Sequence, residues 1–300
     1  MFSTTKYDVE GACSIFAYDF VTIPPKALYG KLPDEIQKIA DQAHIYLICS
    51  HPKPLVHSVS LDGLDLTITL SLNDKVKSAT FPIPAPGELI QTDDHYYIRL
   101  DDGSEIAPRE LDVIRLAGKI EAKVLYIGQA YGKDGNRKAL DRLLAHEKLQ
   151  KIMAEMDHES SVLSLILLTT RRNHMTLFSP SSIIKDKSVS VKRISNNFEF
   201  AEALTEAEEV SLYEAGLIRY FQPKYNVEFA NSFPSTNQRI LRRCYEKDQN
   251  AIIAEICMEQ MPFILFSDSV DPRDFHIAKH ALHVDKDRDA FFAVGTKSKT

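Results

Sequence analysis

The longest apolar run of the chain is the feature that most constrains its fold. Residues 162–168 are apolar except for Ser164, and the run is far shorter than the roughly 20 residues that a membrane-spanning helix needs. A short apolar run without polar alternation is typical of a strand that is buried on both faces. We therefore predict a strand over Val162–Thr170, within a sheet that helices cover.

Strand and helix patterns follow one another along the middle of the chain. Residues 95–100 and Lys123–Gly128 have the composition of strands, and a basic helical stretch over 137–156 precedes the apolar strand. A long helix is predicted over 201–221, because Pro223 cannot continue it. The order strand, strand, helix, strand, helix predicts an α/β (α+β) fold.

Local patterns divide the chain into three predicted regions. Apolar residues recur at helical spacing over 33–48, and Leu64–Leu72 alternates strictly between apolar and polar residues. That alternation indicates a half-buried strand, paired with Val76–Ile83. Prolines and a glycine over 82–87 then mark a boundary. We predict an N-terminal α+β accessory region (1–88), a core (89–232) and a C-terminal extension (233–300).

Charge is distributed unevenly along a chain whose net charge is −6. Residues 115–247 contain 21 Lys/Arg and 16 Asp/Glu, a net of +5, which leaves −11 for the remainder. A basic middle region is compatible with phosphate binding. The four cysteines form no C-x-x-C pair and the N-terminus lacks a signal-peptide pattern. These features predict a cytoplasmic protein without a membrane partner.

Glu214 is the most informative single residue. It falls within the apolar stripe of the predicted helix, between Val210 and Leu217, whereas Glu206, Glu208 and Glu209 lie off the stripe and are predicted to be solvated. A carboxylate that faces inward is costly unless a metal ion, a cation or several donors compensate it. Two interpretations remain open, namely a divalent-metal ligand and a glutamate paired with a nearby arginine.

Arg142 and His146 are four residues apart on the predicted basic helix, so they project from the same side. A guanidinium that can grip phosphate beside a titratable imidazole suits phosphoryl transfer. Each of the two is also compatible with an ordinary solvated face. Five further basic residues surround the pair and are candidates for contacts with a phosphate backbone: Lys133, Arg137, Lys138, Lys148 and Lys151.

Taken together, residues 93–230 resemble the GIY-YIG nuclease superfamily. Tyr126-Ile127-Gly128 is similar to the second signature tripeptide, and His95-Tyr96-Tyr97 is similar to a degenerate first one. The helix residues, the metal-binding glutamate and the trailing asparagine of the family match Arg142, His146, Glu214 and Asn226. The spacing resembles the restriction-endonuclease branch. If the first strand were instead Val113–Leu116, the first tyrosine would be missing and activity would be in doubt.

The resemblance implies a small three-stranded mixed sheet flanked by helices, and a metal-dependent endonuclease acting on double-stranded DNA. One Mg²⁺ or Mn²⁺ ion would be bound through Glu214, and Arg142 would hold a phosphate oxygen. Tyr97 or Tyr126 would position or deprotonate the attacking water, and His146 would accept that proton. Asn226 would orient the water or the glutamate.

Several alternatives stay open at this point. A catalytically inactive nucleic-acid-binding module and a partner-dependent nuclease subunit both fit the sequence, as does a homodimer. The sequence does not separate DNA from RNA, or restriction from repair or phage defence. Two weaker patterns are set aside: a phosphate-binding loop over 128–134, which lacks the required spacing, and a zinc site at His276, His280 and His283, for which a packed or solvated face is favoured.

Overall fold

The computed structural model describes residues 5–72, 75–92, 96–107, 118–130, 139–178, 184–228, 230–234, 239–283, 285 and 288. The strands in these ranges are β1 (Thr5–Tyr7), β2 (Val9–Ile23), β3 (Ile45–Pro52), β4 (Leu55–Asp62), β5 (Asp65–Leu72), β6 (Lys75–Pro82), β7 (Gly87–Gln91), β8 (Tyr96–Leu100), β9 (Glu105–Ile106), β10 (Ile120–Gln129), β11 (Ser161–Phe178), β12 (Ile184–Asp186), β13 (Ala251–Cys257), β14 (Phe263–Ser267), β15 (Val270–Arg273) and β16 (Phe275–Ala281). The helices are α1 (Asp34–Gln42), α2 (Ala139–Leu144), α3 (Glu147–Glu155), α4 (Ser190–Ala203), α5 (Glu206–Phe221) and α6 (Arg239–Glu246), with a 3₁₀ turn at Pro25–Tyr29.

One mixed sheet of eight strands dominates the fold, in the order β15-β14-β10-β3-β11-β2-β13-β16. β15 and β16 lie at opposite ends of this order, yet only Asp274 separates them in the chain. The sheet must therefore curve back on itself, and it is nearly closed. The predicted small three-stranded sheet is wrong, because strands from distant parts of the chain extend it on both sides. Pairing between strands so far apart leaves no local trace in the sequence.

The predicted regional boundaries do not separate this sheet. β2 and β3 come from the range assigned to an accessory region, and β13 to β16 come from the range assigned to an extension. The chain between β3 and β10 adds two smaller sheets, β4-β5-β6 and β7-β8-β9. The predicted pairing of the alternating strand is confirmed, since β5 lies antiparallel to β6 and buries Leu66, Ile68 and Leu70.

Helix α5 is enclosed by the curved sheet. It contacts β2, β10, β11, β13 and β16, and ten of its sixteen residues are buried. A helix with this much apolar surface is stable only when it is surrounded in this way. The single helix predicted over 201–221 is wrong, because a capping box at Thr205 begins a new helix. The Thr205 side chain accepts from Glu208 N, and the Glu208 carboxylate accepts from Thr205 N.

Three helices cover the outer face of the sheet beside β3 and β10. α1, α2 and α3 pack there in a cluster that includes Tyr46, Leu143 and Ile152. The helix predicted over 33–48 ends at Gln42, and the residues from Ile45 onward form β3. The predicted apolar strand at 162–170 is confirmed within β11. No helix in the part of the chain that the structure describes is long and apolar enough to cross a membrane.

Candidate active site

A cavity of about 480 Å³ opens beside the end of β10. β10, α2, α3, α5 and the segment that follows α5 all contribute to its wall. The lining residues are Tyr126, Gln129, Arg142, Lys148, Glu214, Ile218, Tyr225, Asn226, Val227 and Glu228. Five residues predicted for the site are therefore brought together here: Tyr126, Arg142, Lys148, Glu214 and Asn226.

The segment after α5 is fixed to the free edge of β10. β14 pairs with β10 only from Ile120 to Lys123. Beyond that point Tyr225 N donates to Leu125 O at 3.1 Å. The Asn226 side chain accepts from Ile127 N at 2.9 Å and donates to Ile127 O at 2.8 Å. Both ends of the Asn226 amide are thus bonded to backbone, so this side chain positions the segment; the prediction had it orient a water molecule or the glutamate.

Tyr46, which the sequence interpretation missed, is fully buried and contacts two residues of the cavity lining, Tyr126 and Arg142. β3 is antiparallel to β10, and this register places Tyr46 opposite Gly128. The Tyr46 hydroxyl lies 3.1 Å from His146 Nε2 and accepts from Arg142 Nε at 3.3 Å. Its ring stacks on Tyr126 with centroids 6.1 Å apart. The available signal was the unbroken apolar run that begins at Ile45, which is typical of a strand.

Gly128 allows the two tyrosines to approach each other. A Cβ atom at this position would lie 2.5 Å from the Tyr46 hydroxyl and 2.8 Å from Cε1 of Tyr126. Both distances are too short for any side chain. The glycine is therefore required by the close contact of the tyrosine rings with the backbone of β10.

Arg142 and His146 do not share one helix, contrary to the prediction. α2 ends at Leu144, and His146 is the extended residue that precedes α3, with φ −89° and ψ 107°. The two side chains meet because both bond to the Tyr46 hydroxyl. Since Arg142 donates to that oxygen, the phenol proton is free to point at His146 Nε2.

Burial sets the protonation states of this cluster. It lowers the pKa of His146 to about 4, and the charges of Arg142 and Lys148 add to the effect. The imidazole is therefore neutral at pH 7 and can accept a hydrogen bond from the Tyr46 hydroxyl, whose own pKa burial raises. Burial also raises the pKa of Tyr126, as does the charge of Glu214, while a hydrogen bond with Tyr46 counters part of the rise.

Glu214 lies on the inward face of α5 with 8% of its surface exposed. Burial raises its pKa to about 7, and the charge of Glu228 adds to the rise. A hydrogen bond from the backbone N–H of Gln129 and the charge of Arg142 oppose it. Among the described residues no lysine or arginine forms a salt bridge with this carboxylate, so the arginine-paired interpretation has no direct contact behind it.

The donor set of the cavity fits a hard divalent cation. No group of three or more His, Cys, Asp or Glu side chains that could hold a metal ion occurs in the described ranges. Mg²⁺ needs no such group, because it retains water and binds through one or two carboxylates together with substrate phosphate. A nearly buried carboxylate that forms no salt bridge with a described residue and faces a polar cavity meets that requirement.

Some predicted site residues lie elsewhere. Tyr97 is on β8 in a separate small sheet, where its hydroxyl accepts from Arg99 Nη2 at 3.0 Å. Lys151 is exposed on α3 and pairs with Glu155 at 3.6 Å. His95, Lys133, Arg137, Lys138 and the alternative strand at 113–116 fall outside the described residues.

Other titratable groups have structural partners. Glu209, predicted to be solvated, is buried at the sheet side of α5, where Thr170 donates to it. His276 and His280 lie on strand β16 and face α5. His276 Nε2 contacts Leu265 O at 3.1 Å, and His280 Nε2 contacts Gly216 O at 2.9 Å. His280 therefore joins the sheet to α5 through a backbone carbonyl, whereas His276 joins β16 to β14.

Comparison of the chain with protein-family models found no match, and comparisons with curated proteins and with solved structures found none either.

Proposed function

We propose that this protein is a divalent-metal-dependent endonuclease that hydrolyses phosphodiester bonds in DNA. The observation that carries the proposal is a network of site residues beside one cavity. Tyr126, Arg142 and the buried Glu214 line the cavity, and the buried Tyr46 joins Arg142 to His146 behind that lining. Tyr46 in β3 takes the part that the sequence interpretation assigned to Tyr97. The similarity to the GIY-YIG nucleases then concerns the site residues, whereas the sheet around them is much larger.

Positive side chains in the cavity are suited to a phosphodiester. Arg142 uses Nε for Tyr46, which leaves its terminal nitrogens available to a non-bridging phosphate oxygen. Lys148 lines the same cavity and supplies a second cation. Both would stabilise the negative charge that develops on the phosphate oxygens in the transition state.

Glu214 would hold the Mg²⁺ or Mn²⁺ ion. When bound, the ion would polarise the phosphate and stabilise the leaving oxygen. The backbone N–H of Gln129 fixes the carboxylate towards the cavity. Burial of the same carboxylate excludes competing water and strengthens its electrostatic interactions.

The tyrosines and the histidine provide a path for the proton of the attacking water. The water proton would pass to the Tyr126 oxygen, the Tyr126 proton to Tyr46, and the Tyr46 proton to His146 Nε2, while the water oxygen bonds to phosphorus. The P–O bond to the leaving oxygen then breaks, and that oxygen takes a proton from solvent. Approach of an anionic phosphate raises the pKa of His146, which makes the imidazole a better acceptor when substrate is bound.

Plasmid cleavage by purified protein in Mg²⁺ or Mn²⁺ tests the proposal. We expect nicking by the wild type and a loss of at least about 100-fold for Glu214→Gln and Tyr46→Phe. Tyr97→Phe is the matched control and should cleave normally. Electrophoretic mobility shifts without metal should show that all variants bind DNA. Cleavage by Glu214→Gln at the wild-type rate would refute the assignment.

A nucleic-acid-binding module without catalysis is the alternative. Its basis in the sequence is the degenerate first tripeptide; the hydroxyl of Tyr46 beside Arg142 and His146 supports the catalytic proposal instead. DNA binding by the wild type without turnover on any DNA or RNA, in Mg²⁺ or Mn²⁺, would favour this alternative.

A further inference from the structure

A second carboxylate lines the cavity, and the proposed mechanism does not use it. Glu228 is an exposed residue of the cavity lining, which also contains Glu214. The charge of Glu228 acts on both Glu214 and Tyr126. It follows the fixed segment closely, two residues after Asn226, whose amide is bonded at both ends to β10.

The two carboxylates line the same cavity. Arg142 and Lys148 line it, but no cation among the described residues forms a salt bridge with Glu214 or Glu228. Like charges that face one cavity raise each other's free energy, and a cation between them relieves the repulsion. Mg²⁺ and Mn²⁺ favour carboxylate oxygens and are commonly held by one or two of them.

We propose that Glu228 is a second carboxylate ligand of the divalent ion, alongside Glu214. This inference rests on the proposed function, since it concerns the ion of the same site. Its consequence is that the protein binds one ion before nucleic acid arrives. Arg142 and Lys148 line the same cavity, so DNA can still bind without the ion, whereas cleavage requires it.

Calorimetric titration of the full-length protein with Mn²⁺, in the absence of nucleic acid, tests this directly. The wild type should bind one ion. Glu214→Gln should abolish measurable binding, and Glu228→Gln should weaken it by about tenfold or more. Glu147→Gln is the matched control, because Glu147 is exposed at the start of α3 and lies outside the cavity lining. It should bind Mn²⁺ within about twofold of the wild type, as expected for a screened surface charge.

Plasmid cleavage at a series of Mn²⁺ concentrations provides the second readout. Glu228→Gln should raise the Mn²⁺ concentration for half-maximal cleavage while recovering most of the maximal rate at saturation. Mn²⁺ affinity of Glu228→Gln equal to that of Glu147→Gln would overturn the inference, as would failure of the wild type to bind Mn²⁺ alone. If either of these two results were obtained while the wild type still cleaved DNA, the second ligand would be refuted and the nuclease proposal would be retained. Mn²⁺ binding that depends on Glu228, without cleavage of any nucleic acid, would support the ion site and refute the nuclease.

Discussion

Replacing Glu214 with glutamine should stabilise the protein at alkaline pH while it abolishes cleavage. The folded protein releases the Glu214 proton at a pKa of about 7, whereas the ordinary value is 4.5. The Glu214 carboxyl loses its proton at a lower pH in the unfolded chain than in the folded protein. The free energy of unfolding of the wild type therefore falls relative to that of the variant as pH rises from 4.5 to 7, and the difference is constant above pH 7. About 2.5 pH units at 1.36 kcal/mol per unit give roughly 3 kcal/mol at pH 8.

The measurement is urea unfolding of both proteins at pH 5 and pH 8 in the presence of a chelator. We expect the Gln variant to exceed the wild type by about 3 kcal/mol at pH 8 and by less than about 1 kcal/mol at pH 5. Glu202→Gln, which removes an exposed carboxylate from α4, is the matched control and should give no difference at either pH.

Divalent metal should reduce the difference at pH 8. An ion that binds Glu214 in the folded state stabilises the wild type but not the variant. Saturating Mn²⁺ is therefore expected to raise the unfolding midpoint of the wild type alone. A difference between the two proteins that does not change between pH 5 and pH 8 would refute the argument that burial destabilises this carboxylate.

Three further predictions concern the framework of the site. Tyr46→Phe, which removes the hydroxyl that joins Arg142 to His146, should lower the cleavage rate by about the same factor at pH 6 and at pH 8, whereas Tyr97→Phe should match the wild type at both. Gly128→Ala should cost about 1–3 kcal/mol in urea unfolding, because the new Cβ displaces the tyrosine rings; wild-type stability would contradict this. Thr205→Ala should cost about 1 kcal/mol by removing the cap of α5, with Thr205→Ser as the control that retains it.

Residues close together in the chain could be assigned to the site from the sequence, whereas Tyr46 could not. Glu214 lies in the middle of α5 and Asn226 follows the turn after that helix, so their spacing is set locally. Tyr46 reaches Gly128 through pairing of β3 with β10, and β4 to β9 lie between those strands in the chain. An insertion of that length hides the relation between the two tyrosines. Because the apolar residues before Ala43 have helical spacing, the predicted helix over 33–48 also included the residues from Ile45 onward, which form β3.

The same limit explains the error in the sheet. Alternation within β5 and the apolar run within β11 each identified a strand correctly, since they reflect the burial of a single segment. Neither pattern states which strands are neighbours. β2 contacts β13 in parallel and β11 antiparallel, and both contacts join segments more than a hundred residues apart. The number of strands in the sheet therefore depends on pairing between distant segments, and the residue pattern of a single segment does not indicate its partners.

Helix α5 contains two buried glutamates, so the effect of burial on a carboxylate can be compared with and without a cavity beside it. The pKa of Glu209 is raised by burial like that of Glu214, but Thr170 donates to its carboxylate and the charge of Arg172 favours the ionised form. Glu209 borders no described cavity of the site. Glu214 has a backbone donor and an open cavity with two cations and a further carboxylate. A buried carboxylate alone thus indicates only that nearby groups compensate its charge. The polar cavity in front of Glu214, lined by two cations and a second carboxylate, is the observation that argues for a ligand.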